Sequence, residues 1–256
     1  MSGNSDAIGR AAALLIDAHR DFRQIAERPD SGPGNRDEAF ATQDRVAAAL
    51  GPVGGWKIGA SGPYDETPTV APLPAALISD SPAELPVSRF HGVAVEAELA
   101  FLIAKPLPSR AESYGRDEVL AAIGTLHVAI EIVESRLGSW GASEPLWKLA
   151  DNQSNGFFVY GPPVLDWHGR DLAAAPAELV IDGTIVASAP HGGNAAGDPR
   201  WLLVWLANHC SARGCGLEAG QLVTTGSCTG MTPTGAGAHV TARFPGIGEA
   251  AIHFVP

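Results

Sequence analysis

Apolar residues recur at near-helical spacing over residues 5–28 (Ile8, Ala12, Leu15, Phe22, Ile25) and stop at Pro29, which predicts a first helix. A polar Pro/Gly loop over 29–36 leads to a second predicted helix over 37–50, stopped by Gly51 and Pro52. From there the pattern changes. Short runs rich in Val, Ile and Phe, separated by Gly and Pro, predict strands over 54–60, 93–104, 126–134, 157–160, 178–187, 221–226, 238–245 and 249–254. Two helical patterns interrupt them, a weaker one over 116–124 and a stronger one over 198–213. The second has Asp198 as its expected N-cap, Pro199 at its first helical position and Gly214 just beyond its end. Strands outnumber helices without alternating with them, which argues against a doubly wound parallel sheet. The expected class is α+β, a single domain over 1–256 in which an N-terminal helical segment (1–52) precedes a β-rich core (53–256) with a mainly antiparallel or mixed sheet.

Composition narrows the function classes. A chain of 256 residues with 45% hydrophobic and 18% charged residues is not mainly disordered. Its 17 Lys+Arg against 28 Asp+Glu give a formal charge of −11, with no basic run, so no nucleic-acid partner is expected. Residues 1–10 lack the basic start and apolar core of a signal peptide, and no apolar run reaches the roughly 20 residues of a membrane span. A cytoplasmic protein without a membrane partner is the expectation. Cys210, Cys215 and Cys228 cannot all pair within one chain and form no Cys-x-x-Cys, so they read as small buried hydrophobes.

Familiar nucleotide and hydrolase motifs are missing. Gly235-Ala236-Gly237 fails as a dinucleotide loop because Val240 and a strand follow, and no Walker loop, Gly-x-Ser-x-Gly elbow or His-Glu-x-x-His is present. The patch His191-Gly192-Gly193-Asn194-Ala195-Ala196-Gly197 precedes a helix, where free amides can hold an anion; a flexible loop is the equal alternative.

The carboxylates carry more chemistry. In Val95-Glu96-Ala97-Glu98-Leu99, residues two apart on a strand share a face, so Glu96 and Glu98 project together from an apolar run. Either that face meets water, or something positive lies between them. Glu131 lies in a second apolar run, 126–134, and a neighbouring strand would bring three carboxylates to one point. Three hard oxygen ligands suit Mg²⁺ or Mn²⁺; without His or Cys ligands nearby, zinc fits less well. His127 shares the face of Glu131 and reads as a packed core histidine, with an outer role at the metal as the alternative. Lys57, a lone cation in Trp56-Lys57-Ile58-Gly59, either snorkels to solvent or lies near carboxylates. The cluster 151–156, with Asp151, Asn152 and Ser154, is turn-forming by composition.

Taken in order, these segments resemble the 2-keto-4-pentenoate hydratase / 4-oxalocrotonate decarboxylase branch of the fumarylacetoacetate hydrolase superfamily. The resemblance is carried by Trp56-Lys57-Ile58-Gly59, Val95-Glu96-Ala97-Glu98-Leu99, the run from Ile130 to Arg136, Ala150-Asp151-Asn152 through Gly156, Gly197-Asp198-Pro199, Thr225-Gly226-Ser227-Cys228-Thr229-Gly230 and Gly246-Ile247-Gly248. It implies a mixed β-sheet roll with peripheral helices, assembled as a homo-oligomer. It implies Mg²⁺ or Mn²⁺ on Glu96, Glu98 and Glu131, and catalytic roles for Lys57 and Ser154. Substrate-binding roles are expected for Arg136, Asp151, Asn152, Gly193, Thr225, Gly226 and Ser227. Two departures stand out: the 62–68 loop leads quickly into a Pro/Ala-rich run, and Glu134 replaces a smaller or shorter residue, as a charge partner of Arg136 or an outer group of the site.

The implied partner is a small 2-oxo or 2-hydroxy acid. The expected reaction is hydration of a 2-hydroxy-dienoate or 2-oxo-alkenoate to a 4-hydroxy-2-oxo acid, as in aromatic meta-cleavage catabolism. Decarboxylation of a 4-oxalocrotonate-type diacid is the alternative, favoured if Arg136 or the amides before 198 bind a second carboxylate. Acylpyruvate hydrolysis ranks third, because His19 and Glu27 lie eight positions apart and cannot share a helical turn. A non-catalytic metal-binding relative is the remaining alternative.

Overall fold

The computed structural model describes residues 2–65 and 67–256, without the side chains of residues 2–5; Met1 and Glu66, the latter in the 62–68 loop, lie outside the described residues. Two helices open the chain, α1 (Ser2–Arg20) and α2 (Arg36–Leu50). The first ends eight residues earlier than the apolar spacing predicts. Phe22 takes a left-handed turn at φ 46°, and Ile25 leaves the helix to bridge Leu137. Ile25 is buried there with Leu15 and Trp147, so tertiary packing and not helical periodicity set its apolar character. α2 starts where expected because Asn35 Oδ1 accepts the Glu38 N–H at 3.0 Å while Glu38 Oε2 accepts the Gly34 N–H at 2.8 Å.

Thirteen strands follow among the described residues. They are β1 (Val53–Gly59), β2 (Thr69–Pro74), β3 (Ile78–Asp80), β4 (Ala83–Pro86), β5 (Val93–Ile103), β6 (Ile123–Val133), β7 (Asn155–Tyr160), β8 (Ala177–Ile181), β9 (Thr184–Ala189), β10 (Leu222–Ser227), β11 (Thr232–Thr234), β12 (His239–Phe244) and β13 (Gly248–Val255). Three short or medium helices interrupt them: α3 (Arg116–Leu120), α4 (Pro145–Ala150) and α5 (Arg200–Ala212). The run 178–187, which reads as one strand, is a hairpin turned at Asp182-Gly183, with φ 50° and 80°. β2, β3 and β4 escape the sequence pattern because prolines break it; β2, with Pro72 and Pro74, lies at a sheet edge, where missing N–H groups are tolerated.

The strands form two mixed sheets. One has eight strands in the order β2-β1-β10-β5-β6-β7-β3, with β11 beside β5, and the other has five in the order β4-β13-β12-β8-β9. Alternation along β5 divides the large sheet's two faces. Val95, Ala97, Leu99 and Phe101 join Ile130, Ile132, Val240, Phe254 and the α5 residues Leu202 and Leu206 in the main core. The opposite face carries Glu96 and Glu98, continuing into a small apolar patch of Leu73, Ala100, Ala129, Phe158 and Leu222. α1, α2 and α4 pack on one another through Leu15, Val46 and Trp147. Buried Gln43 pins this helical layer to the sheet, its amide donating to the carbonyls of Val70 (3.1 Å) and Leu149 (2.6 Å). No helix among the described residues is long and apolar enough to cross a membrane.

Candidate metal centre

Register brings the three acids together. β5 and β6 pair antiparallel with Glu96 directly opposite Glu131, and Glu98 lies two residues along on the same face. One carboxylate oxygen from each of Glu96, Glu98 and Glu131 lies within 4.8 Å of the others. Glu98 and Glu131 are buried and Glu96 is partly so. Such a concentration of like charge in an apolar sheet is unfavourable without a positive partner, and the chain supplies one. Lys57 on β1 pairs with Glu131 and also donates to the Gln153 carbonyl at 2.9 Å.

The compensation is incomplete. Burial, then the charges of Glu131 and Glu96, push the Glu98 carboxyl up to about 8. Burial and Glu131 raise Glu96 as well. Hydrogen bonds hold Glu98 in place: the Thr224 hydroxyl and the Gly226 N–H (3.2 Å) both donate to its Oε2. Gly226 sits at φ 93°, where other residues are strained, and that turn aims its N–H at the carboxylate. Fully ionised, as a bound cation would make them, three carboxylates and one ammonium leave −3 + 1 = −2 in formal charge. All the donors are hard oxygens, so the residues present fit a divalent cation such as Mg²⁺ or Mn²⁺.

The acids line a cavity of about 710 Å³ that Lys57, Ser154, Thr225, Gly226 and Ser227 also line. Ser154 arrives by an unusual route. Asn152, Gln153 and Ser154 all have positive φ (47°, 51° and 57°), a left-handed turn of three non-glycine residues that costs on the order of 1 kcal/mol each. This turn aims the Gln153 carbonyl at Lys57.

Four expected substrate contacts lie elsewhere. Arg136, Asp151 and Asn152 are buried and do not line the cavity. Arg136 Nε donates to Asp151 Oδ1 at 2.7 Å and its Nη1 to the Asn155 carbonyl at 2.8 Å, so its guanidinium is consumed in holding the 151–155 turn. Gly193 is also outside the lining: a Cβ there would sit 1.8 Å from the Cys228 carbonyl oxygen. Its role is close packing, which lets its neighbour Asn194 reach the cavity and donate to the Thr225 carbonyl at 2.8 Å. Glu134 does not partner Arg136; it accepts from the His91 backbone N–H at 3.1 Å and contacts the His91 ring. His127 is a core histidine, its Nδ1 donating to the Gly161 carbonyl at 2.8 Å and its Nε2 accepting from the Thr125 hydroxyl.

The sequence reading missed other members of the site. Thr224 holds Glu98, while Thr225 Oγ1 donates to the Leu99 carbonyl at 2.9 Å. Arg36 at the start of α2 and Lys148 in α4 line the cavity and also a smaller adjoining one of about 130 Å³ that contains none of the glutamates. Lys148 gave the same signal as Lys57, a lone cation between apolar neighbours (Trp147 and Leu149). Arg36, at a helix start, gave none.

Residues 56–255 match the family model described as fumarylacetoacetate (FAA) hydrolase C-terminal. The chain is 30% identical over 256 residues to a 2-keto-4-pentenoate hydratase of Paraburkholderia xenovorans (strain LB400), covering 95% of this chain and 93% of that protein. It is 33% identical over 159 residues to a 2-hydroxyhexa-2,4-dienoate hydratase of Comamonas testosteroni, a match spanning 62% of this chain and 59% of that protein. Solved structures of 4-oxalocrotonate decarboxylase from Pseudomonas putida G7, complexed with calcium and acetate or with magnesium and adipate, share the fold. Their TM-score is 0.81 at 21% identity, over 98% of both chains. With the family model spanning both sheets and the whole acidic cluster, this chain belongs to the fumarylacetoacetate hydrolase family.

Proposed function

We propose that this protein is a divalent-metal-dependent lyase that hydrates a 2-hydroxy-dienoate or 2-oxo-alkenoate to a 4-hydroxy-2-oxo acid. The observation that carries the reading is the convergence of three carboxylates with a single ammonium beside them. The hydratases among its relatives, and the magnesium bound by the decarboxylase of similar fold, support it. Glu96, Glu98 and Glu131 would hold the ion. When bound, Mg²⁺ or Mn²⁺ supplies Lewis acidity that stabilises negative charge developing on a 2-oxo oxygen.

The chain's own residues do the rest. Lys57 Nζ, fixed by Glu131 and the Gln153 carbonyl, is placed to give and retake the proton that moves on and off substrate carbon while water's hydroxyl adds at C4. Thr224 and Gly226 orient Glu98, and Ser154 and Ser227 line the same cavity. Decarboxylation of a 2-oxo diacid is the second reading, and one observation favours it. Arg36 and Lys148 face the cavity where it adjoins its smaller neighbour, and two cations there suit a distal carboxylate.

Incubation with Mg²⁺ and 2-hydroxypenta-2,4-dienoate, following loss of ultraviolet absorbance, tests the first reading. CO₂ release from a 4-oxalocrotonate-type diacid tests the second. Absence of metal-dependent turnover with both substrates removes the enzymatic claim. Lys57→Met is expected to leave Mg²⁺ binding intact and lower turnover by ~10²–10⁴; an unchanged rate ends its role in proton transfer.

A further inference from the structure

Cys210 and Cys228 are buried, as their composition suggests, but Cys215 is exposed. The placement of Cys210 and Cys215 follows from how α5 ends. Gly214 stands at φ 80° past the helix, its N–H bonds to the Ser211 carbonyl at 3.0 Å, and the Cys215 N–H bonds to the Cys210 carbonyl at 3.1 Å. This is a Schellman motif, whose geometry brings the side chains three residues inside the helix and two beyond its end into contact. In this chain both positions are cysteines. Cys215 Sγ folds back to 3.3 Å from the Cys210 carbonyl oxygen.

We propose that Cys210 and Cys215 form a peroxide-responsive thiol–disulfide site, with Cys215 as the reacting sulfur and Cys210 as the resolving one. The surroundings divide the roles. The Cys210 thiol and then Arg213 draw the Cys215 thiol down to about 7, against burial and Asp44 from α2. Cys210 is raised, chiefly by neighbouring Cys215 and then by burial. The larger cause lapses once Cys215 becomes a neutral sulfenic acid. The Cys215 thiolate attacks one oxygen of hydrogen peroxide, the O–O bond breaks and hydroxide leaves, giving the sulfenic acid. The Cys210 sulfur then attacks that sulfur, the S–O bond breaks, and water leaves with the Cys210 proton. Two thiols are oxidised by two electrons and one peroxide is reduced to two waters.

The test treats the full chain with equimolar hydrogen peroxide at neutral pH and follows intact mass, peptide mapping and iodoacetamide labelling. The expected product has lost two hydrogens, maps to a Cys210–Cys215 crosslink, resists labelling at Cys215 and reverts with dithiothreitol. Buried Cys228 stays unmodified as an internal control. Cys215→Ser is expected to abolish the crosslink, and Cys210→Ser to divert Cys215 to sulfinic acid. If Cys210→Ser does not fold, protection of Cys215 in the native chain decides alone. Accumulation of Cys215 sulfinic acid in the native chain, an intermolecular disulfide, or no loss of labelling would overturn the proposal.

Discussion

Two buried groups of acids flank the end of β6, and their difference separates a site from a brace. Asp151 is fully buried, yet it accepts from the Arg136 guanidinium (2.7 Å) and the Arg136 backbone N–H (3.0 Å). Burial raises its carboxyl while Arg136 pulls it back, and the pair sums to −1 + 1 = 0. Around Glu98, burial and two neighbouring carboxylates push the same way, with Thr224 and Lys57 opposing, and fully ionised the group sums to −2. Burial of an acid is therefore not by itself a sign of function. Uncompensated charge, held in place by hydrogen bonds that do not neutralise it, is.

The strongest way to break this comparison is to unbalance the balanced group. Arg136→Leu leaves Asp151 buried without its cation and is expected to cost about 3–5 kcal/mol in urea unfolding. Mg²⁺ affinity, measured by calorimetry on the folded fraction, should stay unchanged. A variant that keeps its stability but loses Mg²⁺ would show that the two groups are one site. The second test works from the other side. A hundredfold excess of Mg²⁺ over its Kd should raise the stability of the native chain by about 2.7 kcal/mol. Glu98→Gln keeps the side chain's shape, removes one ligand charge and should erase most of that gain. A variant stabilised by Mg²⁺ as much as the native chain would remove Glu98 from the ligand set.

The sequence showed one of these groups far better than the other, for a physical reason. Strand parity is local, so Glu96 and Glu98 were certain to share a face, and the apolar run around Glu131 marked its strand as buried. Family resemblance then implied that the three acids share one ion, and β5 and β6 pair with Glu131 opposite Glu96. What could not be read is which polar residues satisfy each other. Arg136 and Asp151 lie 15 positions apart and meet across a turn at 152–154 whose composition announces a turn but not the partners it brings together. Arg36 and Lys148 reach the cavity from α2 and α4, whose packing is fixed by Gln43, a side chain with no distinguishing pattern around it. The end of α1 was misplaced similarly, because Ile25 owes its burial to Leu137.

His19 sharpens the comparison most finely, because it borders the balanced group without joining it. Its Nε2 lies 3.8 Å from Asp151 Oδ1, close enough for an ion pair if the ring were charged. Burial, then the Arg136 guanidinium, instead lower it to about 3, so the ring is neutral at physiological pH. Asp151 already has its cation, and a second charge would unbalance the group. In the unfolded chain the ring protonates near its ordinary value of 6.5. Between those two values the unfolded state binds the extra proton, so stability is fully present above 6.5 and falls as pH drops towards 3. Lowering the pH from 6.5 to 5 should cost roughly 2 kcal/mol through this ring, at 1.36 kcal/mol per unit. His19→Gln should flatten that part of the stability profile in urea titrations at each pH. An equally steep profile in the variant would mean that His19 charges in the folded state, and that Asp151 carries more negative charge than Arg136 neutralises.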